Sequence, residues 1–182
     1  MLRLTPPVYR QALEDLAARE PFFARILAQY GPPPLWDRPQ GFGTLLHIIL
    51  EQQVSLASAA ACYRKLRERV NPLTPQGFLE LDDAELKLIG FSRQKTAYGR
   101  YLAQALLDKT LDLEALSALE PEQVYNALTA IKGIGYWTAD IYLLMVLQHA
   151  DIWPRGDLAL AKAVQKCLGL PVLPDNRAQI EL

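Results

Sequence analysis

Apolar residues recur at helical intervals along almost the whole chain. Within 8–19, for example, Leu13, Leu16 and Ala17 lie on one face of a helix. Spacings of three and four residues are typical of amphipathic helices, and no segment shows the alternation expected of a β-strand. The pattern therefore predicts an all-α protein.

Short polar residues, prolines and glycines mark where the predicted helices begin and end. Ser55 and Ser92 stand where a side chain can cap the next helix, and Pro75 and Pro121 stand at first helical positions. Gly90 is expected to end a short helix, and 31–43 is expected to be a loop. The predicted helices cover 8–19, 22–29, 44–53, 55–70, a short segment after Thr74, 82–88, 93–107, 121–130, 136–147 and 157–168.

The composition is that of one compact unit. The chain has 182 residues, of which 51% are hydrophobic, and its net charge is −1. The longest apolar run is far shorter than the ~20 residues of a membrane span, and the first residues lack a signal-peptide core, so we expect a cytoplasmic monomer without membrane contact. The two cysteines, Cys62 and Cys167, are too few for an iron–sulfur or four-cysteine zinc site.

Basic residues are concentrated in one segment, at Arg64, Lys65, Arg67 and Arg69. Such a cluster is commonly a solvated helix face. It can also form a local phosphate-binding surface. The sequence leaves both readings open.

The segment KGIG at 132–135 joins two predicted helices. Gly133 and Gly135 allow positive φ and a close approach of the backbone to a ligand. The amides that open the following helix can bind a phosphate, aided by the helix dipole, while Ile134 anchors the turn in the core. The alternative is a structural turn between two helices.

Asp157 stands 22 residues after Gly135 and opens the next helix. Its ordinary role would be helix capping, which stabilises by ~1 kcal/mol. A carboxylate held rigid and ionised by helix amides can also stabilise a positively charged sugar as a base departs. Asp140 and Asp151 are the competing carboxylates.

Two stretches together, LTAIKGIGYWTADIYLLMVL and DIWPRGDLAL, resemble the helix–hairpin–helix–Gly/Pro–Asp DNA glycosylases. LLHIILEQQVSLASA and LIGFSRQKTAYGRYLA are similar to the bacterial 3-methyladenine glycosylase II branch of that family, and the resemblance covers about residues 40–170. It implies a fold of two helical lobes around a cleft within the single unit 1–182. One lobe is expected at about 40–120, and the other from about 1–39 and 121–182.

The resemblance implies a role for individual residues. Asp157 matches the catalytic aspartate, and Trp137 lies in the base pocket where bifunctional relatives carry a Schiff-base lysine. The DNA-binding residues would be Lys132, Gly133, Ile134, Gly135 and Gln53, the last filling the gap left by an extruded nucleotide.

The resemblance also implies what the enzyme binds. No cofactor is required, but carbonyl oxygens of Thr129, Ile131 and Ile134 would hold a monovalent cation, Na⁺ or K⁺, at the hairpin. Ile141 and Leu158 stand where relatives can carry pocket tyrosines, so we expect a less aromatic pocket. The family's final Trp-Arg-Pro-Trp-Arg-like helix has no match before Leu182, so the pocket is expected to differ on that side.

The implied function is base-excision repair of double-stranded DNA that contains damaged bases. The enzyme would hydrolyse the N-glycosidic bond of alkylated purines without lyase chemistry, acting in the cytoplasm at the nucleoid. The alternative is a non-catalytic helix–hairpin–helix module that only binds DNA. Asp157 at its position after the hairpin favours the enzyme.

Overall fold

The computed structural model describes residues 2–181 and is almost entirely helical over that range. Within the described residues the only β-type pairing is an isolated bridge between Arg3 and His149. The helices are α1 Pro6–Arg19, α2 Pro21–Tyr30, α3 Phe42–Glu51, α4 Leu56–Arg69, α5 Pro75–Leu79, α6 Asp83–Ile89, α7 Arg93–Leu107, α8 Pro121–Thr129, α9 Tyr136–Met145, α10 Leu158–Leu168 and α11 Asn176–Glu181, with a 3-10 turn at Ala115–Ala118.

Local capping explains why most predicted helix ends are confirmed. The hydroxyl of Ser55 accepts a hydrogen bond from the amide of Ser58 (3.2 Å), and Ser92 caps α7 in the same way. Gly90 ends α6 in the left-handed conformation, with φ +117°. The 3-10 turn and α11 were not predicted.

The apolar helix α3 forms the centre of the core. Leu45, Leu46, Ile48 and Ile49 are fully buried, and α3 packs against α4, α7 and α9. A helix that is apolar nearly all round must be surrounded by other elements, as this one is. The end of α3 is thereby fixed against α9.

The first residues of the chain are tied to the segment that follows α9. Leu4 donates a backbone hydrogen bond to Gln148 (2.7 Å), and Ala150 donates one to Leu2 (3.0 Å). The guanidinium of Arg3 donates to the carbonyl oxygen of Ser117 (2.8 Å). These contacts fasten the segment before α1 to the part of the chain that carries the hairpin.

Candidate active site and hairpin

The predicted hairpin is a tight turn between α8 and α9. The Ile131 amide donates to the carbonyl of Leu128 (3.1 Å), and the Ile134 amide donates to that of Ile131 (3.0 Å). Ile134 is 4% exposed, so it anchors the turn in the core as expected. Lys132 and Gly135 are exposed.

Gly133 is required by the packing of the protein itself. Its φ is +98°, and a Cβ at this position would lie 2.2 Å from Cγ of Tyr98. The turn therefore rests on the Tyr98 ring of α7, and any side chain would both clash and strain the backbone.

Gly135 differs from the expectation that both hairpin glycines use positive φ. Its φ is −96° and its ψ −179°, an extended conformation open to any residue. A Cβ here would meet no atom within 4 Å. Packing within the described chain thus gives no reason for a glycine, whereas a ligand lying close to the backbone would.

The N-terminus of α9 has no side-chain cap. The first amides of a helix lack partners within the helix and carry the positive end of its dipole. They lie directly after the exposed Gly135, with Lys132 in the same turn. This arrangement suits a phosphate group.

Asp157 is the N-cap of α10, and both of its carboxylate oxygens accept a hydrogen bond. Oδ1 accepts from the amide of Leu160 (2.9 Å). Oδ2 accepts from the indole Nε1 of Trp137 on α9 (3.0 Å). The carboxylate is partly exposed, so it is held rigidly while lone pairs remain for another group.

The contact of Trp137 with Asp157 could not be seen in the sequence. The resemblance implied only that Trp137 lies in the base pocket. In the structure, the N–H at the edge of the indole donates a hydrogen bond to Asp157, 20 residues further along the chain. Trp137 therefore orients the candidate catalytic group.

The competing carboxylates have different surroundings. Asp151 is exposed, in a left-handed backbone conformation with φ +60°. Asp140 is fully buried and accepts hydrogen bonds from the Tyr125 hydroxyl and from Arg155. Burial and the bond to Asp140 raise the pKa of Tyr125 to about 12, so its hydroxyl stays protonated and donates at neutral pH. Asp140 is thus saturated by partners, and Asp157 is the accessible group.

The loop before Asp157 is also fastened to α11. The side-chain oxygen of Asn176 accepts from the amide of Gly156 (2.8 Å), and Trp153 Nε1 donates to the buried Gln179 (3.2 Å). Sequence reasoning gave this segment no role, yet it braces the candidate catalytic loop.

Gln53, the expected wedge, lies in the turn that follows α3. It is exposed and adopts a left-handed conformation with φ +56°. Its neighbour Gln52 donates through Nε2 to the carbonyl of Gly133 and to the hydroxyl of Thr138, both at 2.9 Å. Gln52 therefore joins the hairpin to the turn at residues 52–54, here called the wedge turn. The sequence had not indicated this role.

A partly buried ion pair fixes the end of α3. The guanidinium of Arg38 binds both carboxylate oxygens of Glu51, at 2.9 and 3.1 Å, and Glu51 is 8% exposed. The Arg38 amide also donates to Met145 at the end of α9 (2.8 Å). The wedge turn is thereby linked to both ends of α9.

The hairpin carbonyls have a donor chemistry that fits a monovalent cation. Thr129, Ile131 and Ile134 supply neutral oxygens at the end of α8, where the helix dipole is negative. The Ile131 oxygen also accepts the Ile134 amide, and a carbonyl has a second lone pair. No group of three or more His, Cys, Asp or Glu side chains able to hold a metal ion occurs among residues 2–181.

The basic cluster of α4 is divided by the fold. Arg69 forms an ion pair with Glu85 of α6. Arg64 and Arg67 line an open cavity of about 430 Å³ with His47 and Tyr63, whose rings stack with centroids 4.2 Å apart.

None of the helices formed by residues 2–181 is long and apolar enough to cross a membrane. Asp157 is partly exposed, so the candidate site is accessible beside the hairpin.

The fold is that of a DNA glycosylase. The Schizosaccharomyces pombe 3-methyladenine DNA glycosylase Mag1, solved in complex with abasic DNA, superposes with a TM-score of 0.85 at 23% identity, covering 94% of this chain and 86% of that one. A likeness at this level of identity defines the fold.

Residues 46–179 match the family described as HhH-GPD superfamily base excision DNA repair protein, and the chain belongs to that family. Two curated relatives come from Schizosaccharomyces pombe. DNA-3-methyladenine glycosylase 1 is 25% identical over 82% of this chain and 68% of its own length. The alkylbase DNA glycosidase-like protein mag2 is 24% identical over 92% of this chain and 82% of its own length.

Proposed function

We propose that this protein is a monofunctional DNA glycosylase that hydrolyses the N-glycosidic bond of alkylated purines in double-stranded DNA. The observation that carries the proposal is the position of Asp157. Its accessible carboxylate is fixed by the Leu160 amide of α10 and by Trp137 of α9, and α9 is the helix that also presents the hairpin amides. The names of the curated relatives, 3-methyladenine glycosylase and alkylbase glycosidase-like protein, support the substrate class.

DNA binding would begin at the hairpin. The amides of Gly135 and the first turn of α9, with Lys132, would hold one phosphate without reading sequence. A monovalent cation on the carbonyls of Thr129, Ile131 and Ile134 would add positive charge there. The bound strand would lie between two lobes, one formed by residues 40–120 and the other by residues 1–39 together with 121–182.

The target nucleotide must leave the duplex before its glycosidic bond can react. Extrusion costs a few kcal/mol and is easiest at damaged pairs. Gln53, which projects from the wedge turn in a left-handed conformation, would occupy the gap. The bridge from Gln52 to Gly133 would keep this wedge in register with the hairpin.

The chemistry requires one carboxylate and water. N3- or N7-alkylation gives the purine a positive charge, so the base departs with the electron pair of the glycosidic bond and leaves as a neutral molecule. Asp157 would stabilise the oxocarbenium-like sugar, as one carboxylate of a glycosidase does. Water adds at C1′, its proton passes to solvent, and an abasic site remains.

The side chains around Asp157 favour release of bases that leave easily over selection of a base by tight contacts. Ile141 is 5% exposed and packs in the core, while Leu158 is 56% exposed. Trp137 is the aromatic side chain in contact with the carboxylate, and its face can attract a cationic base by ~0.5–2 kcal/mol. Because the proposed substrate is double-stranded DNA with damaged bases, the enzyme would act at the nucleoid in the cytoplasm.

The decisive experiment is incubation with methylated DNA and chromatographic detection of released bases. Asp157→Asn should abolish release, because the stabilising negative charge is lost, while asparagine still caps α10. Asp151→Asn, an exposed carboxylate of the same loop, is the matched control and should release bases at the wild-type rate. Binding of DNA without release by the wild-type protein would indicate the non-catalytic module instead.

A further inference from the structure

Arg155 is bound to one buried carboxylate through three separate groups. Its backbone amide donates to Oδ2 of Asp140 at 2.9 Å, its Nε donates to the same oxygen at 3.1 Å, and its Nη2 donates to Oδ1 at 2.8 Å. Because the amide is bound along with the side chain, the backbone of the loop is fixed at this residue.

Two tyrosine rings enclose the guanidinium of Arg155. Its Cζ lies 4.6 Å from the ring centroid of Tyr125 on α8 and 4.2 Å from that of Tyr136, the first residue of α9. A planar guanidinium stacks on aromatic faces, and a lysine ammonium cannot reproduce both the stacking and the two-pronged bond to a carboxylate.

Arg155 stands two residues before Asp157, and their partners stand three residues apart on α9. Trp137 binds Asp157, and Asp140 binds Arg155. Residues three apart lie on one face of a helix. One face of α9 therefore holds the loop at two points, and the same helix presents the hairpin amides.

We propose that Arg155, anchored by Asp140, is a positioning residue that sets the Asp157 carboxylate at a fixed distance from the phosphate held by the hairpin. This inference rests on the proposed glycosylase function and adds a residue to it. Misplacement of a catalytic group by about 1 Å can cost 100-fold in rate, so the contact bears on catalysis as well as on folding.

The test compares Arg155→Lys with wild type in single-turnover base release and in affinity for DNA that carries an abasic site. Lysine keeps the positive charge beside Asp140 but loses the stacking and the paired bonds. We expect the release rate to fall about tenfold or more, with affinity within about twofold, because the hairpin is untouched. Arg100→Lys, which alters the ion pair with Asp83 in the other lobe, is the control and should leave both unchanged.

A leaving-group comparison separates positioning from general loss of structure. A displaced carboxylate should slow release of 7-methylguanine more than release of 3-methyladenine, which is the more labile of the two alkylpurines, because the poorer leaving group depends more on stabilisation of the sugar. Partial unfolding would lower both rates by the same factor. Equal slowing of the two bases would therefore contradict the proposal.

The outcomes also separate this inference from the proposed function. No base release by the wild-type protein would overturn the function itself. Release by wild type and by folded Arg155→Lys at equal rates would overturn only the positioning role. If Arg155→Lys does not fold, Asp140→Asn with Arg155→Gln removes both charges together, and the same comparisons of rate, affinity and leaving group decide.

Discussion

The indole Nε1 of Trp137 and the Oδ2 of Asp157 are 3.0 Å apart and joined by a hydrogen bond. The two residues lie on different helices, one just after the hairpin and the other at the start of α10. Trp137 stands where, by the resemblance, bifunctional relatives carry a Schiff-base lysine. In this protein its indole orients the carboxylate of Asp157.

Replacing this tryptophan tests that role. Trp137→Phe keeps an aromatic ring but removes the donor, and a hydrogen bond to a charged group is worth about 1.5–3 kcal/mol. Because Asp157 is partly exposed and still accepts a hydrogen bond from the Leu160 amide, we expect the lower end, about a tenfold loss in release rate. Single-turnover kinetics measure it. Trp36→Phe, an exposed tryptophan outside the site, is the control, and an unchanged rate for Trp137→Phe would show that the bond does not matter.

The two hairpin glycines should behave differently on substitution. Gly135→Ala should fold normally, since its Cβ meets nothing within 4 Å, yet bind all DNA sequences more weakly by about tenfold, because phosphate contacts carry no sequence information. Thermal unfolding and fluorescence anisotropy with several duplexes measure this. Undiminished affinity would show that the hairpin is only structural.

Gly133→Ala is the contrasting variant. The added Cβ would lie 2.2 Å from the Tyr98 ring and strain a residue with φ +98°. We expect a loss of stability of about 1–3 kcal/mol from the backbone conformation alone, with more from the clash. Denaturant titration measures it, and a stability equal to that of wild type would contradict the contact with Tyr98.

The reaction should leave the DNA strand intact. No lysine occupies position 137, and the ammonium of Lys132 lies over the Tyr101 ring, 5.3 Å from its centroid. Lys162 is exposed, five residues beyond Asp157 on α10. We therefore expect borohydride to trap no protein–DNA adduct. A trapped adduct that disappears in Lys132→Gln or Lys162→Gln would overturn the monofunctional assignment.

His149 should make stability depend on pH on the acid side. Its side chain is buried without a hydrogen-bond partner among the described residues, and burial, aided by Arg3, lowers its pKa. The unfolded chain then binds a proton more readily, so stability is full above the unfolded pKa of about 6.5 and falls as the pH drops below it. The difference in Tm between pH 7.5 and pH 5 should shrink in His149→Leu. An unchanged difference would exclude the effect.

The sequence predicted those features that depend on neighbouring residues. Ser55 and Ser92 cap the helices they precede, and Asp157 caps α10, because a cap requires contact only over three residues. The signal for α11 is also local, because the side chain of Asp175 accepts a hydrogen bond from the amide of Ala178 (2.9 Å). The helix is short, and the sequence pattern did not predict it.

The contacts that assemble the site could not be read from the sequence. Gln52 meets Gly133 across 81 residues of chain, and their pairing depends on how α3 packs against α9. Arg155 and Asp140 also meet only through the tertiary fold. Asp140 was a competing carboxylate in the sequence, but nothing there paired it with Arg155, which no periodicity distinguished from an ordinary surface charge.

The pairing of residues 2–4 with 148–150 has a consequence for the order of events during synthesis. Residues 2–4 leave the ribosome well before residues 148–150, which follow roughly 7–30 seconds later at ~5–20 residues per second. Helices α3 to α7 pack largely against one another and can assemble during that interval. A nascent chain should therefore not act on DNA before residues 148–150 have been made and have paired with 2–4.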